Sequence, residues 1–103
     1  MSIKSTILSG VTPDTIYQSA GQTAVTTSYF CNKSMGIVTI NIHLVPSGGL
    51  AQPENLIYWA LEIASNDTYI MDTERLIFDS GDSIVAEASS PGSIVATVSY
   101  VEV

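Results

Sequence analysis

Gly36-Ile37-Val38-Thr39-Ile40-Asn41-Ile42-His43-Leu44-Val45-Pro46 alternates as a half-buried strand does. Val38, Ile40, Ile42 and Leu44 take every second position, and Thr39, Asn41 and His43 fall between them. Successive side chains of a strand point to opposite faces, so the stretch predicts one apolar and one polar face. Gly36 opens it, and Pro46-Ser47-Gly48-Gly49 closes it with turn-forming residues. An apolar sheet face must be buried against a second layer. The rest of the chain reads as the supply of that layer.

Upstream, residues 2–9 alternate loosely as a first edge strand, and residues 10–14 form a turn containing Pro13. Residues 15–18 are a short second strand and residues 19–22 a turn. Residues 23–31 are rich in strand formers, among them Val25, Thr26, Thr27, Tyr29 and Phe30. The connection 32–36 has hairpin length and leads into the organising strand. Downstream, residues 46–53 are the longest loop. Residues 56–63 read as a strand rather than a buried helix, because the run is short, aromatic and set among strands. Residues 68–71 form a strand, 75–78 a short apolar segment and 79–82 a tight turn. In residues 83–89, Ile84, Ala86 and Ala88 share one face, with Val85 and Glu87 on the other. After a turn at 90–92, the final strand 93–103 alternates Ile94, Ala96, Val98 and Tyr100 against Val95, Thr97 and Ser99. About eight strands and no helix predict one all-β domain over residues 1–103. Its expected architecture is an antiparallel β-sandwich, immunoglobulin-like or jelly-roll-like.

Composition narrows the function classes. The 103 residues are 46% hydrophobic, enough for one core, and 13% charged against a usual fraction of about 25%. Hydroxyl residues supply much of the polar surface, which suits extensive protein contact. Lys4, Lys33 and Arg75 are the only strong cations against ten carboxylates, and the net charge is −7. Three scattered cations assemble no basic patch, so neither nucleic acid nor an anionic membrane is an expected partner. Cys31 is the only cysteine, which excludes an internal disulfide, and it reads as a small buried hydrophobe in a strand. The N-terminus has no long apolar run of the signal-peptide kind, and no stretch has membrane-helix length. A chain made in a cytoplasm and kept soluble is the expectation, unless a particle carries it out. Two sequons, at Asn32 and Asn66, are read as chance.

The residues offer little catalytic chemistry. His43 is the only histidine and lies on the polar face of the organising strand, where it reads as surface or interface packing. No G-x-S-x-G elbow supports a nucleophile. Asp67, Asp72, Glu74, Asp79 and Asp82 crowd the later half without the EF-hand spacing, and they read as solvated turn residues in preference to a calcium site. Tyr58, Trp59 and Tyr69 read as core filling, with an aromatic platform for sugars as the alternative. No metal, cofactor or enzymatic activity is expected. Thr39, Asn41 and His43 are the candidate interface.

Four stretches in spaced order carry a family resemblance: residues 26–32 (Thr-Thr-Ser-Tyr-Phe-Cys-Asn), residues 38–49, residues 67–78, and Gly81-Asp82-Ser83-Ile84 with the end Val95-Ala96-Thr97-Val98-Ser99-Tyr100. Together they resemble a family of small virion structural proteins of tailed bacteriophages, of the contractile-tailed, cyanophage-like kind. The resemblance implies a non-enzymatic part of the particle that decorates or joins larger virion proteins, at the capsid, neck, tail or baseplate. It brings no catalytic residue. A part present in many copies is expected to be a homo-oligomer, a trimer or a ring. The alternative is a carbohydrate-binding β-sandwich module for attachment to a cell surface.

Overall fold

A computed structural model describes residues 2–10, 12–71 and 76–102. The sandwich anticipated from the alternation forms. Among the described residues nine strands follow one another: β1 (Ser2–Ile7), β2 (Asp14–Gln18), β3 (Thr23–Asn32), β4 (Val38–Val45), β5 (Leu56–Ile63), β6 (Thr68–Met71), β7 (Leu76–Phe78), β8 (Ser83–Ala88) and β9 (Ile94–Glu102). One 3-10 turn, Pro53–Asn55, precedes β5. The first sheet has the order β1-β9-β3-β6, with β7 also on β3, and the second has β2-β8-β4-β5. All pairings are antiparallel. Strands β6 and β7 pair with opposite ends of β3, Ser28 to Cys31 for one and Thr23 to Val25 for the other, so they fill a single lane.

The pairings are nested. β1 pairs with β9, β2 with β8, β3 with β6 and β7, and β4 with β5. The chain is thus one long antiparallel hairpin whose tip is the loop 46–55, rolled so that its successive rungs fall alternately in the two sheets. This is the order of a jelly roll. The immunoglobulin order groups its strands differently. A correction follows for residues 32–36. Despite their hairpin length they close no hairpin, because β3 hydrogen-bonds to β9, β6 and β7 in one sheet while β4 hydrogen-bonds to β8 and β5 in the other.

Asn32 turns the chain between the sheets. Its side chain is fully buried. Nδ2 donates to the Gly36 and Ile63 carbonyls, each at 2.8 Å, and Oδ1 accepts from Ser34 N at 2.9 Å and Ser34 Oγ at 2.7 Å. A buried amide that meets this many partners replaces the ladder bonds lost where the strand leaves its sheet. Its burial also removes the first sequon from use.

Between the sheets, Leu8, Ile16, Phe30, Ile40, Ile42, Ile84, Ile94 and Val98 are each at most 1% exposed. Val38, Ile40 and Ile42 point inward, as the alternation requires. Tyr17 closes one end, its ring 4.4 Å from that of Tyr100 and 6.3 Å from that of Phe78. Bulges interrupt the ladders in β2, β3 and, twice, between β4 and β5. At one of these Ala60 takes φ 54°, a left-handed conformation that costs a non-glycine residue about 1–2 kcal/mol.

Candidate functional site

The outward face of the first sheet follows from register. Ile3 pairs with Ser99, Ser5 with Thr97 and Ile7 with Val95 on one side. Tyr29 pairs with Thr97, Cys31 with Val95, and Ala24 with Val101 in the middle. Ile70 pairs with Tyr29, Thr68 with Cys31, and Ile77 with Ala24 at the far side. No outward position among these is charged, although the chain carries −7. Ile3 is 70% exposed and Ile77 66%, and Ile7, Tyr29, Ile70 and Val101 are exposed too. Short hydroxyls lie between the aliphatics, and Ser5 Oγ meets Thr97 Oγ1 at 3.0 Å. The result is a broad, pleated face of isoleucine, valine, threonine and serine open to solvent. Cys31 belongs here, half-buried on this face rather than inside the core. Odd positions of β3 after its bulge, and of β9 throughout, look outward, so the cysteine follows Tyr29 and not Phe30.

The outward face of the second sheet is built differently. Thr39, Asn41 and His43 do point away from the core, but the chain itself covers part of this face. His43 is only 6% exposed. The loop 46–55 folds over it, so that Nδ1 lies 3.1 Å from the Gln52 carbonyl oxygen and 2.9 Å from Asn55 Oδ1. On its other side Nε2 lies 3.6 Å from Glu87 Oε1. Asn41 is held from both flanks: its Nδ2 donates to Glu87 Oε1 at 3.3 Å, and its Oδ1 accepts from Ala60 N at 2.8 Å, at the β5 bulge. Thr39 is half-buried, its N–H donating to Ser89 Oγ at 3.0 Å. Of the three candidate interface residues, His43 is therefore packed internally and Asn41 is a strut.

The three aromatic residues part company. Tyr58 and Tyr69 pack against the core from the inner side, edge to face with centroids 5.6 Å apart, and the Tyr69 hydroxyl donates to the Tyr58 hydroxyl at 3.0 Å. Core filling describes these two. Trp59 is the correction: it is 71% exposed and looks outward. Being next to Tyr58 in a strand, it must face the other way. It borders a hollow of about 200 Å³ with Pro13, His43, Gln52, Leu56 and Glu87. The three do not form one platform.

Of the described acidic residues of the later half, Asp67 and Asp82 serve turns. Asp82 Oδ1 accepts from Ser47 N and Oδ2 from Asp79 N, each at 3.0 Å, tying the turn 79–82 to the loop after β4. Asp67 Oδ1 accepts from Thr68 N at 2.8 Å. Asp72 and Glu74 lie outside the described residues. Among the described residues no three histidine, cysteine or carboxylate side chains gather as a ligand set.

Comparison of the chain with protein-family models, with curated proteins and with solved structures finds no match.

Proposed function

We propose that this chain is a non-enzymatic structural protein of a tailed bacteriophage particle, made in the host cytoplasm and carried in the virion. There it joins or decorates larger particle proteins, as one of several copies in a trimer or ring. The observation that carries the contact role is the outward face of the first sheet. A contiguous exposed apolar patch on a small protein marks an interaction site. Among the described residues its outward positions carry no charge, in a chain of net charge −7, so a partner meets them without desolvating an ion. Its serines and threonines can exchange water for hydrogen bonds across an interface. The family-like order of the four stretches supports the placement in a phage particle. The jelly-roll order is compatible with it, since viral capsid domains use that architecture, but lectin domains use it as well and a fold alone assigns no function.

The test has two parts. Mass spectrometry or cryo-EM of purified particles is expected to find the protein, and its absence from mature particles refutes the proposal. Ile70→Lys and Ile77→Lys place a charge on the patch at exposed positions. Both are expected to melt within a few degrees of wild type and to lower the copy number per particle. Wild-type incorporation of both variants removes this face as the contact.

A further inference from the structure

The hollow beside Trp59 is a second feature with a definite chemistry, and hydrogen-bond geometry fixes much of it. Asn55 is oriented by two bonds of its own, Oδ1 accepting from Gln52 N at 3.0 Å and Nδ2 donating to the Leu50 carbonyl at 2.8 Å. His43 Nδ1 therefore faces two acceptors, Asn55 Oδ1 and the Gln52 carbonyl oxygen, and must carry a proton. In the neutral ring Nε2 is then an acceptor too, and it looks at Glu87 Oε1 across 3.6 Å. Asn41 Nδ2 gives Oε1 one donor. Protonation of the ring would supply a second, and in either state Glu87 Oε2 has no partner among the described residues. The carboxylate is about a quarter exposed, into the hollow. Trp59 stands at the rim with its indole in solvent. The register lines these groups up: Asn41 pairs with Glu87 across β4 and β8, and Trp59 lies opposite Asn41 at the β5 bulge.

An indole face beside a carboxylate with a vacant acceptor calls for a cation with several N–H donors. No cation lines the hollow among the described residues. We propose that this hollow is the seat of an arginine side chain from a protein partner. A guanidinium stacks flat on an indole through cation–π attraction while its N–H edge reaches the carboxylate, a combination that an ammonium matches less well. The volume of about 200 Å³ admits one such head group, below the several hundred Å³ of a drug-sized site. Charge complementarity gives the same answer at larger scale: a chain at −7 draws a basic partner surface toward it. This inference rests on the contact role proposed above and names the chemistry of one partner.

Trp59 is the only tryptophan, so its emission reports this hollow alone. The whole chain is titrated with N-acetyl-arginine methylamide, with its lysine counterpart and with neutral methyl glycosides. The arginine probe is expected to give a saturable emission change in the millimolar range. High salt is expected to weaken it several-fold, and Glu87→Gln, which keeps the side-chain volume and the reporter, by at least about tenfold. The lysine probe is expected to bind more weakly. No saturable change with the arginine probe, or an unaltered response in Glu87→Gln, overturns the proposal. A saturable response to the glycosides in place of the arginine probe also overturns it, and assigns the hollow to a sugar. Particle composition is measured separately. A chain found in particles that ignores the probe refutes this site alone, and a chain that binds the probe but is absent from particles refutes the virion role alone.

Discussion

Asn32→Ala is expected to be the most damaging single truncation of a polar residue in this fold. The side chain is fully buried and makes four hydrogen bonds at the crossover from the first sheet to the second. Three of them, to Gly36 O and to Ser34 N and Oγ, lie where water can partly replace the lost partner, since Ser34 is half-exposed and Gly36 exposed. Their net contributions are roughly 0.5–1.5 kcal/mol each. The fourth, to Ile63 O, is buried, and its carbonyl loses a partner that water cannot easily replace, at about 1–3 kcal/mol. The total is about 2.5–7.5 kcal/mol against the roughly 5–15 kcal/mol that holds a small domain together. Asn32→Asp is expected to be at least as harmful, because a carboxylate turns two donated bonds into repulsion with the same carbonyls. Urea unfolding followed by far-UV circular dichroism measures this; exposed Trp59 makes emission a poor reporter of global unfolding. A loss below about 1 kcal/mol for Asn32→Ala would show that the crossover is held by strand pairing alone and that the amide network is incidental.

Ile40→Ala, at a position 1% exposed, is expected to cost about 2–5 kcal/mol by lost burial and the cavity it leaves, again read from the urea midpoint. Ser28 Oγ is buried with no hydrogen-bond partner among the described residues, so Ser28→Ala is expected to leave the melting temperature unchanged or to raise it slightly. Gly81 has φ +92°, and a Cβ there would stand 2.8 Å from the Ser47 Cβ. Gly81→Ala is therefore expected to lower stability by about 1–3 kcal/mol, by strain and by pushing the loop after β4 off the turn 79–82; an unchanged melting temperature would mean that this loop yields freely.

Alternation alone determined which side chains of β4, β8 and β9 enter the core, because strand geometry leaves a side chain only two directions and burial selects the apolar one. β5 was legible as a strand on other grounds, its shortness, its aromatic residues and its strand neighbours. Alternation could not settle which strands pair, since the ladder is made of backbone groups that every residue shares. A five-residue link that can close a hairpin can equally cross between sheets, and here buried Asn32 takes the second course. Nor could alternation tell an open face from a covered one. The outward isoleucines of β1, β6 and β7 read in sequence like any buried set, and only the nested pairing leaves them in solvent on one continuous face. Trp59 and His43 exchange their expected environments for a related reason. Trp59, next to inward Tyr58, faces outward beside Glu87, while the hairpin tip folds back and closes over the imidazole.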